Sequence, residues 1–174
     1  MSHTSVSLAQ TSEVHIFSDA SEKAIAASAY LRTVSDGLTS VRFIMGRSKL
    51  APLKGHTIPR LELCGTVLAT ELAEIISVQL DIPLESMRYY TDSRVDLGYI
   101  SNRTCRLYTY VSNRVDHILR TYSANQWNFI SSEKILQIPV LDALLMLPTL
   151  CSYPGLLVHN GYVISLKWNL DSFH

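Results

Sequence analysis

The chain is 174 residues long, enough for one domain with its own core. Its 15 Lys and Arg balance 15 Asp and Glu, which excludes a simple polycationic nucleic-acid binder and an acidic disordered tail. Hydrophobic residues at 47% and charged residues at 17% fit a globular domain, and the scattered Cys64, Cys105 and Cys151 argue against a disulfide framework or a zinc site.

Residues 1–12 read as a polar, flexible leader without the basic and apolar regions of a signal peptide. No apolar run reaches the roughly 20 residues of a membrane span. The expectation is an intracellular protein, cytoplasmic or nuclear, with no membrane partner.

Val14 to Ser21 reads as a first strand and Ala26 to Val34 as a second. Val41 to Lys49 reads as a third, with Val41, Phe43 and Met45 on one face. Asp36-Gly37 marks the turn between the second and third runs, so a three-stranded antiparallel meander is expected. The period then changes. From Pro59, Leu61, Cys64, Leu68, Leu72 and Ile75 form a helical stripe. Beside it, Gly65, Thr66, Ala69 and Ala73 let the helix lie close to a sheet. Asp81 and Pro83 end the helix. Met87 to Asp92 reads as a fourth strand, Ser93 to about Ile100 as a short helix, Tyr108 to Tyr122 as another, and Trp127 to Ile130 as a fifth strand. The predicted fold is α/β, a mixed five-stranded sheet flanked by helices.

Three carboxylates take matching places in this layout. Asp19 lies near the end of the first strand, Glu62 in the first turn of the long helix, and Asp92 at the end of the fourth strand. If the two strands are neighbours and the helix crosses them, the side chains converge. Converging carboxylates repel and call for a cation. Oxygen-only ligands select Mg²⁺ or Mn²⁺. Two such ions can activate water and stabilise the leaving oxygen of a phosphodiester. Solvated acids at strand ends are the plain alternative.

The segments Ala51-Pro52-Leu53-Lys54 and Thr57-Ile58-Pro59-Arg60-Leu61-Glu62-Leu63 resemble the BEL/Pao group of LTR retrotransposons. So do Phe17-Ser18-Asp19-Ala20-Ser21, Tyr90-Thr91-Asp92-Ser93, Val111-Ser112-Asn113-Arg114-Val115 and Gln126-Trp127. The resemblance covers roughly residues 14–134. It implies an RNase H-like segment of a pol polyprotein, with Asp19, Glu62 and Asp92 as catalytic acids and metal ligands. It further implies a two-ion Mg²⁺ or Mn²⁺ cofactor, cleavage of the RNA strand of RNA–DNA hybrids, and reverse transcriptase and integrase domains as polyprotein partners. A protease reading fails, because neither Asp19 nor Asp92 sits in an Asp-Ser/Thr-Gly turn.

The family's fourth acid, expected after the last strand in an NPAD-like motif, has no counterpart. Of 30 charged residues only Asp142, Lys167 and Asp171 lie beyond Lys134, so residues 13–134 read as the domain and 135–174 as a divergent tail outside the family fold. Lys134 to Asp142 can be encoded so that a shifted frame spells NPADPGTR. We therefore read the tail as a frameshift product and expect impaired hydrolysis. Arg47, Lys49, Lys54 and Arg60 are candidates for backbone-phosphate contacts, and Ser21 and Ser93 for contacts beside the acids. A non-catalytic binding or scaffolding remnant is the competing function. A third reading is an unrelated α/β binding protein, which requires the three acids to stand apart.

Overall fold

The computed structural model describes residues 11–35, 37–52, 55–138, 158–159 and 162–163. The leader up to residue 10, Asp36, Lys54 and most of the tail, including Asp142, lie outside the described residues.

Strands β1 (Thr11–Ala20), β2 (Ala24–Ser35) and β3 (Leu38–Leu50) form the antiparallel meander. Ser21 builds the first turn. Its N–H donates to the Ala24 carbonyl at 2.8 Å, and its Oγ accepts from the Ala24 N–H at 3.1 Å. Gly37 adopts φ +77° in the second turn, a left-handed conformation that favours glycine. Helix α1 (Ile58–Leu80) returns the chain across the sheet to β4 (Met87–Thr91), which pairs parallel with β1. Helices α2 (Arg94–Ser101) and α3 (Thr109–Thr121) lead to β5 (Trp127–Phe129), parallel to β4, and a short α4 (Ser132–Ile135) follows. The sheet order is β5-β4-β1-β2-β3, the mixed five-stranded arrangement predicted. Two further strands, β6 (Val158–His159) and β7 (Tyr162–Val163), extend it, with β7 paired to Gly46 and Arg47 of β3.

Two local readings change. Val41, Phe43 and Met45 do not share one face. The β2–β3 register shifts so that Ala29 pairs with Met45 and Tyr30 with Phe43, leaving Ile44 as the extra residue of a bulge. Met45 consequently packs on the core, while Phe43 meets the Tyr30 ring edge-on at 5.5 Å. On α1, Cys64 and Ile75 are only half-buried and Ile76 is buried instead. The small-residue stripe is what lies against the sheet, so the buried arc turns toward it. Pro59 sits in the first turn of α1, and Asp81 closes its end at φ 53°.

The core lies between the sheet and α1 and α3. Tyr89 of β4 is fully buried, stacked on Trp127 with centroids 4.7 Å apart and edge-on to Tyr122 at 5.3 Å. The Tyr122 hydroxyl donates to the Thr70 carbonyl at 3.0 Å, while Tyr110 meets Cys64 at 3.4 Å. These two contacts set α3 parallel to α1, so both helices start at the same end. The other sheet face carries His15, Phe17, Tyr30 and Tyr90, with Phe17 stacked on Tyr90 at 4.8 Å. Among the described residues, no helix is long and apolar enough to cross a membrane.

Candidate functional site

The end of the sheet where α1 begins is set by register. In the parallel β1–β4 pair, Phe17 lies opposite Tyr90. Two residues beyond this pair come Asp19, the next-to-last residue of β1, and Asp92, which directly follows β4. Helix α1 reaches the same point through Gly65, where a Cβ would stand 3.2 Å from the Asp19 carbonyl oxygen. Glu62 lies three residues earlier, on the same helix face, and is half-buried. A cavity of about 410 Å³, lined by Glu22, His56, Thr57 and Leu61 among others, opens at this end of α1.

The close approach at Gly65 is testable. Gly65→Val is expected to destabilise the fold by roughly 1–3 kcal/mol through overpacking against Asp19. A thermal melt as high as that of the native chain would contradict this seating of α1.

Local donors already hold both strand-end carboxylates. Asp19 Oδ1 accepts from the Ala20 N–H at 2.7 Å, and Asp92 Oδ2 accepts from the Ser132 hydroxyl at 2.6 Å. The donor chemistry of Asp19, Glu62 and Asp92 suits a hard divalent cation. Among the described residues, no group of three or more His, Cys, Asp or Glu side chains is assembled as a metal site.

The structure adds a fourth acid that the pattern of strand ends had not marked. Asp96 of α2 is fully buried. Its Oδ2 lies 2.8 Å from the Thr66 hydroxyl of α1, and its N–H donates to Ser93 Oγ at 3.1 Å. Oδ1 has no hydrogen-bond partner among the described residues. Burial pushes this carboxyl up to about 7, and the charges of Glu62 and Asp92 add to the rise. Thr66 and Ser93 pull the other way. A signal existed in the sequence: Ser93 and Asp96 have the spacing of a capping box. Ser93 does cap α2, but the Asp96 side chain turns to Thr66, and the Ser93 N–H is taken by Thr91 Oγ1 at 3.2 Å. Ser132 was also missed, because no helix was expected after β5.

The proposed phosphate contacts do not form one cluster. Arg47 and Lys49 of β3 both pair with Glu71, at 2.8 and 2.9 Å, against the middle of α1. Arg60 lies apart from them, with its guanidinium 4.9 Å from the centroid of the Tyr110 ring on α3. Ser21 is engaged in the β1–β2 turn, and Ser93 is buried as the α2 cap.

A family model described as "Pao retrotransposon-like RNaseH-like domain" matches residues 3–93. No curated protein matches the chain significantly. Similar solved structures include RNase H1 from the halophilic archaeon Halobacterium salinarum, at 11% identity and TM-score 0.46, covering 76% of this chain and 92% of that one. LC11-RNase H1 in complex with RNA/DNA hybrid gives 12% identity and TM-score 0.42, over 75% and 93%. The N-terminal RNase H domain of rv2228c from Mycobacterium tuberculosis gives 13% and 0.40, over 80% and 94%.

Proposed function

The chain belongs to the Pao retrotransposon-like RNaseH-like domain family, and from that membership we propose that it engages RNA–DNA hybrids as a segment of a retroelement polyprotein, with hydrolysis of the RNA strand slow or absent. In this reading its partners are the hybrid and the reverse transcriptase and integrase domains of the same polyprotein. One observation carries the proposal: Asp19 and Asp92 end neighbouring parallel strands while Gly65 seats α1 on the Asp19 carbonyl.

Bound Mg²⁺ or Mn²⁺ would supply water activation and charge stabilisation at a phosphodiester. The acids present meet that need in donor type and fall short in arrangement. Asp92 is engaged by Ser132, and buried Asp96 spends its Oδ2 on Thr66. In this reading the family's fourth acid is missing after β5. These features favour a domain that holds nucleic acid better than it cuts it.

The test replaces residues 135–142 by the shifted-frame reading NPADPGTR. Metal-dependent cleavage of a labelled RNA–DNA hybrid is expected to rise above that of the native chain and to vanish again with Asp19→Asn. Cleavage that stays at background in the replaced chain would overturn the view that a missing fourth acid limits this domain.

A further inference from the structure

Several basic side chains are already paired with carboxylates. Arg32 pairs with Glu13, and Arg47 and Lys49 pair with Glu71. Arg60 and Arg114 have no carboxylate partner among the described residues. Both guanidinium groups instead lie over the ring of Tyr110, at 4.9 and 3.6 Å from its centroid. The ring is held in place. Its hydroxyl meets Cys64 Sγ at 3.4 Å, and Arg114 donates to the Tyr110 carbonyl at 3.1 Å.

A ring face attracts each cation, but two guanidinium groups on one ring repel each other. Burial pushes the Tyr110 phenol up, so it stays uncharged. Neither α1 nor α3 carries an acid in its first turn; Glu62, expected there, falls just past it because α1 starts at Ile58. Arg60 is exposed and stands two residues before Glu62, at the end where α1 meets Asp19. A polyanion laid over this end would supply the missing negative charge, and planar guanidinium groups match phosphate oxygens in pairs.

Resting on the reading that this end of the fold takes a nucleic acid, we infer that Arg60 and Arg114, spread over Tyr110, contact two backbone phosphates of the bound strand. Arg47 and Lys49, committed to Glu71, do not. The phosphate-contacting surface thus lies on the α1–α3 side of the acids and not on the β3 side.

The test is fluorescence anisotropy of a labelled RNA–DNA hybrid in metal-free buffer across a salt series. The Arg60→Gln/Arg114→Gln double variant is expected to bind about 10- to 100-fold more weakly at low salt. Its slope of log affinity against log salt should be shallower by about 1.5–2, since each lost phosphate contact removes roughly 0.7–0.9. Arg47→Gln/Lys49→Gln should keep the native slope, and Arg60→Lys/Arg114→Lys should restore it. Equal slopes for the native chain and the first variant would overturn the inference. So would slope loss confined to the Arg47/Lys49 variant, or failure of the lysine variant to restore the slope. Cleavage plays no part in this readout. Native binding with an unchanged slope sinks this inference alone, whereas absence of hybrid binding by the native chain sinks the functional reading with it.

Discussion

Asp96→Asn is expected to make the folded chain more stable than the native one at pH 8, by about 2–4 kcal/mol. The reason is hydrogen-bond accounting together with burial. The Thr66 hydroxyl has one proton and two neighbours, Asp96 Oδ2 at 2.8 Å and the Glu62 carbonyl at 3.1 Å. A neutral Asp96 can donate to Thr66, which then donates to Glu62. An ionised Asp96 takes the Thr66 proton for itself and keeps Oδ1 buried without a partner among the described residues. Folding therefore raises this carboxyl from 3.8 to about 7. A raised acid favours the fold below its unfolded value, and that contribution is lost as pH climbs through the folded value. About three units at 1.36 kcal/mol each set a ceiling near 4 kcal/mol. Asparagine cannot ionise, so its advantage is largest at pH 8 and falls by more than half by pH 5. Urea midpoints at the two pH values measure it. A variant less stable than the native chain at pH 8 would mean that the ionised carboxylate is well accommodated.

Tyr89→Ala is expected to cost about 3–5 kcal/mol, a large part of the 5–15 kcal/mol that holds a typical domain. Tyr89 is fully buried at the middle of β4, between Trp127 and Tyr122. Its loss leaves a cavity where β4 joins β5 to the rest of the sheet, and Asp92 follows directly from that strand. The melting temperature should fall by more than about 8 °C. Tyr89→Phe should cost only about 1 kcal/mol, because it keeps the ring and loses only the hydroxyl's contacts with Met87 Sδ, at 3.9 Å, and with Tyr122. Equal losses from the two substitutions would place the hydroxyl, and not the ring, at the centre of this packing.

Period and punctuation carried most of the fold. Gly37 and the alternating runs around it read as a meander, and they form one. Pro59, the small residues from Gly65 to Ala73, and Asp81 marked α1 from its first turn to its last. The bulge at Ile44 was not legible, because a bulge leaves alternation on each side intact and only shifts its phase. Strand ends could be placed, so Asp19 and Asp92 could be paired through the β1–β4 register. What their carboxylates bond to could not be read, since Ser132 lies forty positions from Asp92 and comes beside it only through the fold. Asp96 went unmarked, because the contact that takes it inward belongs to Thr66, thirty positions earlier. Likewise Arg47 and Arg60 are close in sequence but take different partners, Glu71 in the middle of α1 for Arg47 and the Tyr110 ring of α3 for Arg60.

The central proposal is that the fold holds a hybrid while its acids fall short of a working metal site. The most direct measurement is a single-turnover experiment on a labelled RNA–DNA hybrid with Mg²⁺ or Mn²⁺, following binding by anisotropy and cutting by gel in the same sample. The account predicts bound hybrid with cleavage no faster than in the Asp19→Asn variant. Rapid metal-dependent cleavage that disappears in Asp19→Asn would contradict it, as would a chain that leaves the hybrid unbound.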